Sequence, residues 1–328
     1  MIYLLVFLLS GAVVVVAGTA LARHADAIAE ATRIGRLWVG SVLLAGATSL
    51  PELTTDLAAV RLGAPDLAVG DLFGSSLANM LILALLDLMP PRGQVLRNAG
   101  AGHVLAASLA ISLNALAAVL VLVGLESSFL WIGPGSLLLF CAYLAGTRAT
   151  YLQAVNGHGV VAEETAAPRS RLRPALYGFA AAALWVLLAA PAFAWSAKGI
   201  AEISGLGNTF VGTWLVGLAT SLPELAASLA AVRLGALDLA VGNLFGSNAF
   251  NMAIFLPLDL AQPGNLFAAI DRGHALTGLF AVLLTSLGLA AIVYRVKGRY
   301  QMLEPGSVLM VLAYFGALWT LYRHTAGG

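Results

Sequence analysis

The chain has 328 residues, of which 60% are hydrophobic and only 10% charged, and its formal net charge is +1. Soluble domains carry about 25% charged residues, so a soluble fold is excluded, and the chain has no basic cluster to offer nucleic acid. A single cysteine, Cys141, set in an apolar run, excludes an internal disulfide.

Apolar runs long enough to cross a bilayer recur along the whole chain. In chain order the predicted spans lie at about 2–22, 38–60, 67–89, 103–124, 129–148, 175–195, 210–232, 239–260, 274–294 and 305–323. The N-terminus is hydrophobic from Ile2, with no basic n-region and no small-residue cleavage signal, and reads as a first span rather than a signal peptide. The stretch from Tyr151 to Arg173, with Gly, Pro, Glu and Arg, reads as a flexible linker.

The chain repeats itself. Residues Gly46–Met80, GATSLPELTTDLAAVRLGAPDLAVGDLFGSSLANM, return as Leu218–Met252, LATSLPELAASLAAVRLGALDLAVGNLFGSNAFNM, at an offset of 172 residues without a gap. From Gly40 to Leu88, 32 of 49 positions are identical to their counterparts. The flanks repeat as well: Ile28-Ala29-Glu30 returns as Ile200-Ala201-Glu202, and Gly35 as Gly207. The duplicated unit is therefore a half of the protein, residues 1–150 and 174–328, with its strongest repeat at 40–88 and 212–260 and the linker at 151–173. Five spans per half is an odd number, so the second half enters the membrane from the opposite side. The predicted fold class is an all-α membrane protein of ten transmembrane helices arranged as two inverted-topology five-helix repeats. With the N-terminus outside, Arg and Lys divide 13 to 4 in favour of the cytoplasmic connections, which places both termini outside and the linker in the cytoplasm.

Both strong repeats set a proline and a lone glutamate inside apolar helix. Pro51 lacks an N–H and clashes with the carbonyl four residues back, so the helix is predicted to open around Ala47; Pro223 does the same at Ala219. Freed carbonyls within the bilayer must line a cavity or meet a cation. Thr48, Ser49 and Glu52 add side-chain oxygens at the first break, and Thr220, Ser221 and Glu224 at the second. In the following spans Ser75 and Asn79, and Ser247 and Asn251, stand four residues apart on one helix face. Together these groups are hard oxygen donors with at least two negative charges and without His or Cys, a set suited to Na⁺, Ca²⁺ or a similar cation rather than to zinc or copper. Proline kinks and single Ser, Thr or Asn residues are often mere packing features, but an intramembrane carboxylate calls for a functional reason. Two at symmetric positions with identical neighbours leave little room for a packing role.

These motifs resemble the cation/Ca²⁺ exchanger superfamily, whose two α-repeats read G-(T/S)-S-x-P-E followed by G-N-x-x-G-S-N-x-x-(N/D). Here they stand as GATSLPE (46–52) with GDLFGSSLAN (70–79) and LATSLPE (218–224) with GNLFGSNAFN (242–251). The resemblance to the family's prokaryotic members implies alternating access by sliding of spans one and six, with Na⁺ and Ca²⁺ competing for one central cluster. It implies Glu52 and Glu224 as essential ligands, with Thr48, Ser49, Thr220, Ser221, Ser75, Ser247, Asn79 and Asn251 supplying further oxygens. Three departures are visible. Ala47 and Ala219 stand where the family often has Gly; Asn251 stands where some prokaryotic members have Asp; and Asp71 replaces the Asn expected in the first repeat, its counterpart being Asn243. Asp71 is therefore added to the ligand set, either restoring the lost charge or carrying a proton. Asp56, whose counterpart is Ser228, lies one turn beyond Glu52; for both acids an altered ion site and a solvated or hydrogen-bonded group at a cavity mouth stay open.

Other polar positions carry plainer expectations. Asp66 and Asp238 start spans as cap and dipole partners. Asp87 and Asp259 reach the interface, as do His103 and His274, while His24, His158 and His324 are solvated. Gly70, Gly74, Gly242 and Gly246 permit close helix approach. The function expected is Na⁺/Ca²⁺ antiport driven by the Na⁺ gradient, the transported ions being substrates with no cofactor and the bilayer being the only surrounding partner. An H⁺-coupled antiporter is the first alternative, weakened because Gly74 and Gly246 occupy the place where proton-coupled members carry an acid. A passive cation channel is the second. No nucleophile–base pairing stands within the spans, so no enzyme is expected.

Overall fold

A computed structural model describes residues 2–89, 94–124, 133–157, 171–203, 220–294 and 305–326. Among these every regular element is helical and none is a strand. Seven helices are long and apolar enough to cross a membrane: α1 (Ile2–Thr32), α5 (Pro65–Leu88), α7 (Ala101–Val123), α9 (Leu172–Ile203), α11 (Leu237–Ala261), α13 (His274–Val293) and α14 (Pro305–Ala326). Between them stand α2 (Arg36–Trp38), a π-helix at Val39–Leu44, α3 (Ala45–Thr48), α4 (Leu50–Arg61), α6 (Gln94–Arg97), α8 (Pro134–Gly157), α10 (Leu222–Arg233) and α12 (Leu266–Ala269). Of the expected features, residues 129–132 of the fifth span, 158–170 of the linker (with His158) and 210–219 of the seventh span lie outside the described residues. The first part of the expected linker, 151–157, is the last two turns of α8.

The chain divides into two compact units, each drawing on both halves of the sequence. The first comprises Met1–Pro51 and Tyr151–Leu244; the second comprises Glu52–Thr150 and Phe245–Gly328.

In the first unit α1 packs along α9 and α10. Its buried stripe, Val14, Ala17, Gly18, Leu21, Ala22, Ala25 and Ile28, follows helical spacing, and facing it are Ala182, Val186, Ala227, Ala230 and Ala231. Small residues dominate because apolar lipid gives helices no hydrophobic reason to associate, so van der Waals contact at close range must do it. Backbones approach closely at Gly242, where a Cβ would lie 2.6 Å from the Leu37 carbonyl oxygen, and at Gly40, where one would lie 2.6 Å from that of Leu239. The expectation for Gly242 therefore holds. For Gly74 it does not, since a Cβ there would meet nothing within 4 Å. Between α1 and α2, Gly35 takes φ 103°, a conformation open to glycine at little cost. Arg36 then turns back to hydrogen-bond Asp26 and, at 3.0 Å, Glu30. The hydrogen bond to Asp26 is the main cause holding the guanidinium above its ordinary range.

In the second unit α7 and α5 pack on α13, and α14 packs on both α13 and α5. Phe73, Phe255, Phe267, Leu72, Leu113 and Leu139 fill the core. The rings of Phe255 and Phe267 stack with centroids 5.4 Å apart.

Two aspartates expected at the interface are instead buried. Asp259 Oδ2 accepts from Gly133 N and Ser136 Oγ, both at 2.6 Å, and its Oδ1 accepts from Leu266 N at 2.8 Å. Asp87 does the matching work: Leu96 N donates to its Oδ1 at 2.9 Å and Ser307 Oγ to its Oδ2 at 2.6 Å. Each carboxylate thus binds the N-terminal turns of two other helices, where unsatisfied backbone N–H groups and the helix dipole favour an anion. His103 is likewise buried, its Nδ1 accepting from Gly100 N at 3.0 Å at the start of α7. Asp66 stands in the first turn of α5 as expected, yet its Oδ1 reaches across to Asp271 N at 2.6 Å and His274 Nε2 at 3.0 Å.

Candidate functional site

The expected helix breaks are present, the first of them two residues later than predicted; Ala219, where the second was expected, lies outside the described residues. α3 ends at Ser49 (φ −91°, ψ 7°), and the corresponding break falls at Ser221 (φ −83°, ψ 8°). Pro51 and Pro223 stand at the second position of the helices that follow, where a missing N–H costs nothing. A π-helix precedes the first break, a feature that widens the backbone and often marks functional positions. Every one of Thr48, Ser49, Glu52, Ser75, Asn79, Thr220, Ser221, Glu224, Ser247 and Asn251 is buried, none more than 7% exposed. Asp71 is half-buried.

The first unit holds Thr48, Ser49, Thr220, Ser221 and Glu224. Ser49 Oγ donates to Glu224 Oε1 at 3.3 Å. Thr48 Oγ1 lies 3.2 Å from the Ala45 carbonyl and 3.3 Å from Asn243 Oδ1, and Asn243 Nδ2 donates to Ser228 Oγ at 3.0 Å. The Ser49 hydroxyl at the first break thus meets the carboxylate after the second.

The second unit holds Glu52, Asp71, Ser75, Asn79, Ser247 and Asn251. Ser75 Oγ lies 3.4 Å from Glu52 Oε1. Asn79 Nδ2 donates to Asn248 Oδ1 at 3.0 Å. The amide oxygens of Asn79 and Asn114 are buried without a hydrogen-bond partner, and so are both amide atoms of Asn251. Asp56 is 1% exposed, not solvated at a cavity mouth. Its Oδ2 has no hydrogen-bond partner. These acids occupy the positions of Ser228 and Asn243 in the other repeat.

Sequence reasoning passed over Asn114, Asn243 and Asn248. The signals were present: Asn114 is a lone amide in an apolar span, and Asn248 stands where the repeats diverge, its counterpart being Ser76. Among the described residues no group of three or more His, Cys, Asp or Glu side chains could hold a metal. The donor set is Glu224 in the first unit and Glu52 with Asp71 in the second, with hydroxyl and amide oxygens beside them, which is chemistry for hard cations.

A family model described as "Sodium/calcium exchanger protein" matches residues 2–147 and 174–323. The inner membrane protein YrbG of Escherichia coli is 30% identical over 263 residues, covering 76% of this chain and 78% of that protein. The sodium/calcium exchanger MaX1 of Methanosarcina acetivorans is 31% identical over 121 residues, 35% of this chain and 33% of its own. Among solved structures, the sodium-calcium exchanger NCX_Mj superposes with a TM-score of 0.73 at 23% identity, covering 97% of this chain and 98% of that one. That likeness is one of fold.

Proposed function

The chain belongs to the sodium/calcium exchanger protein family, and from this premise we propose that it is a secondary active antiporter exchanging Na⁺ for Ca²⁺ by alternating access. The observation that carries the reading is the pair of duplicated Pro-Glu breaks, each with a glutamate no more than 1% exposed and a serine hydroxyl within 3.4 Å of a carboxylate oxygen. Glu52 and Glu224 are the anionic ligands; Thr48, Ser49, Thr220, Ser221, Ser75, Ser247, Asn79 and Asn251 complete the oxygen donors. The transported ions are the substrates. A divalent ion, or several monovalent ones, offsets charge that is otherwise costly in a medium of low dielectric. The carrier therefore crosses between its two access states only when loaded, and Na⁺ and Ca²⁺ exclude one another. The ten spans, inverted halves and outward termini expected from the sequence are the topology this cycle uses.

Proton coupling is a second reading, favoured by one observation: Asp56, 1% exposed, and Asp71 stand at positions where the second repeat has a neutral hydrogen-bonded pair. A carboxyl as buried as that of Asp56 calls for a cation or a proton.

Radioactive Ca²⁺ uptake into Na⁺-loaded proteoliposomes, repeated with a pH gradient and no Na⁺, separates the readings. Uptake that requires the Na⁺ gradient is expected. Uptake driven by the pH gradient alone would replace Na⁺ with H⁺ as the coupling ion, and no uptake under either gradient would remove Ca²⁺ as the substrate.

A further inference from the structure

We propose that Asn248 is a positioning residue of the ion site: it orients the amide of Asn79 so that oxygen, not nitrogen, is offered to the transported cation. The inference rests on the reading of Asn79 as an ion ligand.

An amide side chain presents a donor on one side and an acceptor on the other, and its neighbours decide which is which. Asn248 is fully buried, and its Nδ2 lies 3.2 Å from the Ser76 carbonyl oxygen and 3.5 Å from Thr285 Oγ1. A carbonyl can only accept. The Thr285 hydroxyl gives its proton to the Ala281 carbonyl at 2.7 Å, so it too turns a lone pair toward Asn248. Rotating the Asn248 amide would set oxygen against two acceptors, so nitrogen is fixed on that side and Oδ1 on the other.

That Oδ1 can in turn only accept, and it does so from Asn79 Nδ2 at 3.0 Å. Asn79 therefore has its nitrogen committed and its Oδ1 left over, buried and without a hydrogen-bond partner. Asn114 ends in the same state by a parallel route: its Nδ2 serves the Ala110 carbonyl at 2.9 Å and the Asn248 carbonyl at 3.3 Å, leaving its Oδ1 without a partner. A buried amide oxygen with no donor is unfavourable by itself, and a hard cation is the ligand that relieves it. The opposite amide orientation would turn two N–H groups toward the ion and repel it.

The relay is built in one repeat only. At the duplicated position stands Ser76, which contributes its main-chain carbonyl and has no amide with which to hold Asn251. Asn251 accordingly has neither amide atom hydrogen-bonded. The two asparagines that the duplication makes equivalent are thus unequal: Asn79 is preset, and Asn251 is not.

A double-mutant cycle on the full-length protein tests this. Asn248→Ala, Asn79→Ala and the double variant are purified, and Ca²⁺ and Na⁺ affinities are read from ion-induced thermal stabilisation and from the half-saturating Ca²⁺ concentration for uptake in proteoliposomes. Asn248→Ala is expected to weaken Ca²⁺ by roughly 10-fold, the scale seen when the support of a metal ligand is lost. In the Asn79→Ala background it should cause no further loss, because the residue through which it acts is gone. A general structural role would instead add its loss in either background, and multiplied losses would overturn the proposal, as would wild-type affinity in Asn248→Ala. Asn248→Ser, which installs the residue of the other repeat, provides the same comparison where the alanine variant fails to fold. A wild-type protein that responds to neither ion would overturn the functional reading itself, and this inference with it.

Discussion

Asn243 Nδ2 donates to Ser228 Oγ at 3.0 Å, while the same two positions of the first repeat hold Asp71 and Asp56. One half of a duplicated framework thus has a neutral hydrogen bond where the other has two acids. The pair is a natural internal control. Asp56→Ser with Asp71→Asn converts the first repeat to the second. The expected outcome is a change in ion selectivity, or a flattening of the dependence of exchange rate on pH, with Na⁺-driven Ca²⁺ uptake retained. An unaltered profile across a pH series would show that neither acid takes part in the transport cycle.

Glu52→Gln and Glu224→Gln each keep the shape of the side chain and remove its charge. Each should lower exchange by about 100-fold or more, the scale of breaking a buried ionic contact. Size-exclusion profile and melting temperature without ions should stay close to wild type. Wild-type transport by either variant would remove that glutamate from the ion site.

Asp259 has a structural task, and its loss should be read in stability. Asp259→Ala leaves Gly133 N and Leu266 N without their acceptor and leaves the Ser136 hydroxyl only the Gly133 carbonyl. Even with partial recovery by water, a loss of roughly 3 kcal/mol is expected. Thermal unfolding in detergent checks this, with Asp87→Ala as the smaller, two-donor case.

Two glycines that the sequence treats alike should behave in opposite ways. Gly242→Ala sets a Cβ 2.6 Å from a backbone oxygen and should destabilise by about 1–3 kcal/mol, the usual range for overpacking. Gly74→Ala meets nothing within 4 Å and should be neutral or slightly stabilising, since alanine is the better helix former. Paired melting curves decide both.

The sequence by itself determined the membrane class, the duplication, the family and the two glutamates set beside prolines in apolar helix. Those follow from quantities that local sequence contains: composition, the spacing of apolar residues, and Pro and Glu recurring at a fixed offset. The helix breaks at Ser49 and Ser221 were legible because proline acts on its own helix. Tertiary structure decided what each buried polar group faces. Asp87 and Asp259, near the ends of apolar spans, suggested an interface; they are buried because N-terminal turns from other helices come to them. The role of Asn248 depends on Ser76, Asn79 and Thr285, the first two of which lie 172 and 169 residues away in the chain. An amide carries no local signal of which end will donate. Only the carbonyls and hydroxyls packed around it settle that.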